Sequence, residues 1–280
     1  MSIIDAHIHL WDLSQQINSW VIKSQNPNWL KDIGLNDYLT VSQLPAITGV
    51  VTIEAADARH SLDEVKWLDQ VRRRHSIELK HIAYLDMLQA PVDFVAKVNE
   101  YKCYDFVIGF RDIMSYSHQP VYSPCANDIT LSTANLDRLY FNLCYLAENN
   151  YIFDCQMYPE QLIRAFASIQ KSQVKCVIDH AGLPTLDNFA SWIEMLQLYN
   201  GVAEFKLSGL DLNEVQDNSR QICEQLVENI PLGNIHYGSN FPVTPRIHND
   251  YLLEALNQIV NPEDLNQIMY LNSQRFYNFS

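Results

Sequence analysis

Long apolar runs are missing from this 280-residue chain. No segment approaches the roughly 18 uncharged apolar residues that a membrane span needs. The opening Met1-Ser2-Ile3-Ile4-Asp5 has no basic stretch and no apolar core of the kind a secretory leader carries. These two absences predict a soluble, cytoplasmic protein without a membrane partner. Positive charge is scarce as well: 19 Lys and Arg stand against 33 Asp and Glu, a net charge of -14. The one basic cluster, Arg72-Arg73-Arg74, ends a helical pattern, where cations favour the carbonyl end of the dipole. A nucleic-acid partner is therefore excluded. Glycine (8) and proline (11) are too few for collagen or wholesale disorder. Neither GxGxxG nor GxxxxGK[ST] occurs, which removes the usual phosphate-cradling loops. Six cysteines (Cys103, Cys125, Cys144, Cys155, Cys176 and Cys223) lie scattered without a CxxC. They read as reduced thiols, several of them buried, and as neither metal ligands nor nucleophiles.

What remains is an alternation of short β-branched runs with helical-period segments. Eight strands are expected: Ile3–His9, Gly49–Glu54, Lys80–Leu85, Phe106–Asp112, Tyr151–Gln156, Lys175–His180, Glu204–Ser208 and Ile235–Asn240. Most are nearly continuous apolar runs, as strands buried on both faces should be. Between them, Leu136, Leu139, Tyr140, Leu143 and Ala147 share one helical face, as do Phe189, Trp192, Ile193, Leu196 and Tyr199, and again Leu252, Leu253, Leu256, Ile259 and Val260. Eight such units in one chain predict an α/β fold, a single (β/α)8 barrel over residues 1–280, rather than a doubly wound sheet. Two long connections, Leu10–Pro45 and Ile113–Thr133, are rich in aromatics and follow strands 1 and 4. In a barrel both lie on the C-terminal face, where active sites form, and are placed to cap a pocket.

Asp5-Ala6-His7-Ile8-His9 is the sharpest local signal. Residues i and i+2 of a strand share a face, so His7 and His9 can both point into the barrel mouth and bind one divalent ion. Two ordinary buried histidines would show the same spacing. The reading gains weight from His180, which ends the Val177-Ile178-Asp179 run, and from Asn240, a polar residue ending strand 8. Separate core histidines rarely produce that constellation.

IDAHIHLWD (4–12), GFRD with Arg111, VIDHAG (177–182), FKLSGL with Lys206 and YGSNFP (237–242) follow one another in an order that resembles the amidohydrolase-2 family of TIM-barrel, metal-dependent hydrolases. The similarity is strongest to its sugar-lactone hydrolase branch, and WLKDIGLNDYLTVSQL resembles that branch's first long loop. The resemblance implies that His7 and His9 are metal ligands or, in metal-independent members, polar groups around the substrate carbonyl. It implies that His180 polarises that carbonyl and that Arg111 and Lys206 hold a substrate carboxylate or hydroxyls, with Gln156 and Trp11 as further substrate contacts. Ion pairs with Glu54, Asp112 or Asp154 are the competing role for the two cations.

Two departures from the family pattern matter. Its strand-8 residue is usually an aspartate that takes a proton from the attacking water, and here Asn240 stands there. An amide has no useful proton affinity near neutral pH. Either another carboxylate is the base, with Glu54, Asp86 and Asp154 as candidates, or the barrel has lost its chemistry and binds a small molecule. Strand 5 lacks the histidine of binuclear relatives. One divalent ion, zinc or manganese, held by His7, His9 and His180, or no metal at all, is then expected. Ser239 lacks a nucleophile elbow, and His60, His75, His81, His236 and His248 read as surface or structural; His118, in the second long connection, is kept in view. The expected activity is hydrolysis of a C–O ester bond in a lactone of a sugar acid or related carboxylate, catalysed by His180, Asn240 and Glu54. An amidase or a decarboxylase is the alternative. The expected partner is a small-molecule substrate; oligomeric state is not legible.

Overall fold

A computed structural model describes residues 2–42, 46–117, 125–210, 219–244 and 250–280. Its strands are β1 (Ile3–Ile8), β2 (Ile47–Ile53), β3 (Glu78–Tyr84), β4 (Val107–Ile113), β5 (Ile152–Gln156), β6 (Lys175–Ile178), β7 (Glu204–Leu207) and β8 (Ile235–Tyr237). They pair in sequence order, all parallel. Past β8, the Asn240 N–H donates to His7 O (2.8 Å) and the His9 N–H to Phe241 O (2.7 Å), which brings the last strand end onto the first. The fold is the expected (β/α)8 barrel.

Helices separate the strands because each carries one apolar stripe. α1 (Ser19–Ser24) and α2 (Leu35–Val41) lie in the first long connection; α3 (Ser61–Arg72), α4 (Pro91–Tyr101), α5 (Thr133–Glu148), α6 (Pro159–Ser172), α7 (Phe189–Tyr199), α8 (Ser219–Asn229) and α9 (Asp250–Ile259) follow. α5 buries Leu139, Leu143 and Leu146, and α7 buries Trp192, Met195, Leu196 and Tyr199. Proline occupies the first turn of α4 and α6, where its missing N–H has no intrahelical partner to lose. Among the described residues no helix is long and apolar enough to cross a membrane. The six cysteines are free, with Cys155, Cys176 and Cys223 buried.

Inside the barrel the side chains change character with height. Ile4, Ala6, Val51, Ile53, Ile82, Ile152 and Val177 join Phe276, Tyr277 and Phe279 from the end of the chain in one apolar cluster, which floors the interior. Charged and polar groups fill it above. Two expected strands end early: strand 6 stops at Ile178 rather than His180, and strand 8 at Tyr237 rather than Asn240. The cause is backbone conformation, since His180 (φ 52°) and Asn240 (φ 54°) are left-handed, and a strand cannot continue through that region. β1 also departs from plain alternation: Asp5 pairs with Val50 but Ile8 with Thr52, so β1 carries one residue more than β2 between those points. Bulges of this kind re-aim side chains at barrel rims. Asp5 here bonds the Tyr38 hydroxyl of α2 (2.7 Å), while His7 meets the interior.

The first long connection is built rather than slack. Trp11, Trp20 and Trp29 stack edge to face in succession (5.6 and 5.7 Å), and Trp29 Nε1 donates to Pro242 O across the barrel mouth (3.1 Å). Of the second, residues 118–124, with His118, Pro120, Tyr122 and Pro124, lie outside the described residues, as does His248.

Candidate active site

Six strand ends deliver one buried cluster at the C-terminal face. β1 brings His7 and, one residue beyond, His9; β2 brings Glu54; β4 Arg111; β5 Asp154 and Gln156; β6 Asp179 and His180; β7 Lys206 and Ser208. Asn240, after β8, is buried beside them with its backbone on His7. Close approach here needs Gly238, because a Cβ at that position would sit 2.8 Å from the Cβ of His7. Residues 7, 9, 180 and 240 thus converge as expected.

Asp179, passed over in favour of its neighbour His180, is the hub. Its Oδ2 accepts from Arg111 Nη1 (3.0 Å), and its Oδ1 lies 3.0 Å from Lys206 Nζ and 3.3 Å from His7 Nδ1. Burial alone would raise this carboxyl, but Lys206, His7 and Arg111 hold it well below the usual carboxylate range. Asp154, also bonded by Lys206, goes the other way: burial and the charge of Asp179 push it up. Two aspartates side by side therefore divide the work, one charged and one inclined to keep a proton. The signal available in the sequence was an acid inside the apolar run Val177-Ile178, which must find partners if buried.

Arg111 and Lys206 take the ion-pair role the sequence had left open. Arg111 Nε and Nη2 both donate to Glu54 Oε1 (3.2 and 3.0 Å), and Nη1 reaches Gln156 Oε1 (3.3 Å) as well as Asp179. Lys206 is fully buried between Asp154 and Asp179. Gln156 keeps its amide donor without a partner among the described residues. Trp11 belongs to the cap: its Nε1 is spent on Lys31 O (2.9 Å) and Trp29 O (3.2 Å), and its ring is buried. Asp86 is exposed and caps its own turn through Leu88 N (2.8 Å), which takes it out of the cluster. Glu54 (9% exposed) and His9 (7%) are the most open members.

The imidazoles hold the decisive detail. His9 Nδ1 lies 3.1 and 3.2 Å from the carbonyls of Ile53 and Glu54, so it must carry the proton, and Nε2 presents a lone pair. Burial, with Arg111 and His180 near it, lowers the His9 pKa to about 3, so the ring is neutral. His7 Nε2 stands 3.2 Å from that lone pair. Burial holds His7 neutral too, well below the usual histidine value despite Asp179. If His7 donates to His9, its bare Nδ1 faces the Asp179 carboxylate; if the proton is on Nδ1, two bare nitrogens face each other. Neither arrangement satisfies both contacts. His7 Nδ1 and Asp179 Oδ1 are in fact both buried without a hydrogen bond. A cation between the two Nε2 atoms resolves the conflict, and two nitrogens on one tetrahedral zinc stand a similar distance apart, roughly 3.3 Å. The residues present therefore fit a divalent metal. His7, Asp179 and His180 also offer ligand atoms all within 4.8 Å of one another. His180 meets β7 instead: its Nδ1 lies 2.9 Å from the Ser208 hydroxyl, and the Ser208 backbone is a second partner of the ring. Burial lowers its pKa to about 4, against the pull of Asp179.

The sequence pattern of the amidohydrolase family matches residues 131–279, more than half of the chain. The chain belongs to the amidohydrolase family. Its fold is similar to that of an amidohydrolase from Burkholderia multivorans with bound zinc (TM-score 0.77, 16% identity, 100% of both chains). It is also similar to a probable 2-pyrone-4,6-dicarboxylic acid hydrolase from Acinetobacter baumannii with citric acid bound (TM-score 0.68, 16% identity, 100% of both). A third neighbour is a 2,6-dihydroxybenzoate decarboxylase from Rhizobium (TM-score 0.67, 12% identity, 99% of both). This amidohydrolase shares with them a scaffold that serves both hydrolases and a decarboxylase.

Proposed function

We propose that this amidohydrolase hydrolyses the C–O ester bond of a small lactone, of the sugar-acid kind, at the cluster around His7 and Asp179. The observation that carries the reading is the set of groups that converge here: the His9 Nε2 lone pair with His7 beside it, the His180 ring held through Nδ1, and the Glu54 carboxyl. In this reading Ser208 donates to His180 Nδ1, and Nε2–H hydrogen-bonds the substrate carbonyl and the oxyanion that replaces it, among buried groups. Glu54 is the base. Arg111 anchors its Oε1, while Oε2 has no partner among the described residues. Burial raises its pKa in spite of Arg111, which strengthens it as a proton acceptor. Oε2 takes a proton from the attacking water and returns it to the ring oxygen as that leaves. Gln156 and the amide of Asn240 hold substrate hydroxyls. His7 and His9 would hold a divalent zinc or manganese ion, with Asp179 in reach, and its chemistry there would be that of a Lewis acid on the carbonyl.

The second reading, a disabled barrel that binds a small molecule, is favoured by one observation: Asn240 replaces the family's aspartate and its Nδ2 is engaged by Thr244 Oγ1 (3.2 Å). A panel of sugar lactones decides between them. If Glu54 is the base, Glu54→Gln lowers kcat by about 10²–10⁴-fold, and Asn240→Asp changes it little. Unchanged turnover in Glu54→Gln removes the assignment. An inert wild type that Asn240→Asp awakens gives the second reading instead.

A further inference from the structure

One buried carboxyl has no part in the chemistry above and lies directly behind it. Glu64, on α3, is buried, and its Oε1 accepts from the N–H groups of both Ala55 and Ala56 (2.8 and 3.2 Å). The same short turn is held from the other side. Asn18 Nδ2 (2.7 Å) and Trp20 Nε1 (2.5 Å), both from the first long connection, donate to Ala55 O. The turn begins with Ile53 and Glu54, whose carbonyls receive the His9 Nδ1 proton, and the Glu54 carbonyl also meets Arg111 Nη2 (3.4 Å). The other oxygen of Glu64 is unbonded and 3.9 Å from His81 Nε2, which is itself buried and unbonded. Buried polar atoms are nearly always paired, so a carboxyl kept in this half-satisfied state has its use in the two N–H groups it captures.

We propose that Glu64 is a positioning residue for the active site, fixing the 54–56 turn and, through the Ile53 and Glu54 carbonyls, the tautomer and ring orientation of His9. The mechanism is indirect. Without an acceptor at Ala55 and Ala56 the turn carries two orphaned N–H groups, and relaxing them moves the carbonyls that hold the His9 proton on Nδ1. His9 then no longer presents a fixed lone pair at Nε2, and the backbone that carries Glu54 shifts with it. Burial and the neighbouring Glu54 charge push the Glu64 carboxyl well above its ordinary range, so a neutral amide is a close replacement for it.

The inference rests on the reading of His9 and Glu54 as site residues, and its test reads the ring directly. In protein labelled with 15N-histidine, with His9 assigned by its substitution, wild type shows one His9 tautomer with the proton on Nδ1. Folded Glu64→Ala shows exchange between tautomers, and Glu64→Gln restores the single form. On a lactone that wild type turns over, kcat/KM falls about ten- to a hundredfold in Glu64→Ala and recovers in Glu64→Gln, since small misplacements cost factors of this size. If Glu64→Ala does not fold, Glu64→Asp withdraws the acceptor by one methylene and is expected to mix the tautomers. A fixed His9 tautomer in folded Glu64→Ala or Glu64→Asp overturns the proposal, as does a Glu64→Gln protein as impaired as Glu64→Ala. Absence of lactone turnover in wild type counts against the hydrolase reading alone, and the His9 signal still decides the role of Glu64.

Discussion

The barrel brings an imidazole, a carboxylate and a cation together at each end, and the two groups differ in how far their hydrogen bonds are satisfied. At the N-terminal end His236 Nε2 bonds Glu204 Oε2 (2.7 Å) and its Nδ1 meets Ser273 Oγ (3.0 Å), while Arg275 Nη2 donates to the same glutamate oxygen (2.8 Å) and to Gly233 O (2.7 Å). Every ring nitrogen has a partner. At the C-terminal end, His7 Nδ1, Asp154 Oδ1 and Asp179 Oδ1 make no hydrogen bond, although Asp179 Oδ1 lies 3.0 Å from Lys206 Nζ. Composition therefore does not separate these two clusters; satisfaction does. Left-handed backbone at His180, Ala181 and Asn240 adds to the contrast, because such residues persist where the surroundings impose them. Volume misleads. A cavity of about 400 Å³ lies at the other end of the strands, lined among others by Arg72, His75, Lys80 and Asp105. Its cations are already paired, Arg72 with Asp69 and Asp105, and Lys80 with Glu78.

Removing a cation from each end should break the symmetry most strongly. Lys206→Met leaves Asp154 without its cation and Asp179 with Arg111 alone, and is expected to lower stability by about 3–5 kcal/mol in urea unfolding. Arg275→Met removes a half-exposed guanidinium from Glu204, and its cost should be below about 1 kcal/mol. Equal losses would mean that the buried carboxyls at the C-terminal end are not charged.

Exchanging the histidines sharpens the same point. His180→Asn is expected to lower hydrolysis by about 10²–10⁴-fold with the fold intact, since it removes the imidazole proposed to meet the oxyanion and little packing. His236→Asn should leave turnover alone and lower stability by about 1–3 kcal/mol, because Glu204 and Ser273 lose a partner in the interior. Turnover lost through His236, or kept without His180, would place the chemistry at the wrong end.

The barrel was legible because strands buried on both faces write themselves as apolar runs, and all eight were located from the sequence. The convergence of His7, His9, His180 and Asn240 followed from strand ends alone. What stayed hidden depends on distance in three dimensions. Pairing of Arg111 and Lys206 with Glu54 or Asp154 was one of two roles the sequence left open, and nothing local adds Asp179, since Arg111 and Asp179 lie 68 positions apart. Asp179 was overlooked beside a more conspicuous histidine. Glu64, on α3, has no local mark in the sequence that its side chain is buried against the turn after β2. The early ends of β6 and β8 were also invisible, because a left-handed histidine has no signature of its own.

Acid titration gives the smallest effect and the finest comparison. At the N-terminal end burial alone would raise Glu204, but bonds from His236 and Arg275 hold it below the ordinary glutamate value of 4.5. A lowered carboxyl stabilises the fold above the unfolded-state value and loses that contribution as pH falls through the folded one. Glu204→Gln should therefore cost about 1 kcal/mol at pH 7, and the cost should fade below about pH 4.5, followed by urea midpoints. Glu54 has the opposite sign. Its pKa is raised by burial, so its contribution is complete below 4.5 and is lost as pH rises through the folded value. The stability of Glu54→Gln relative to wild type should then improve with rising pH, whereas that of Glu204→Gln worsens. Parallel pH trends in the two variants would show that the carboxylates at both ends are held by the same forces, and the distinction drawn from their unbonded atoms would fail.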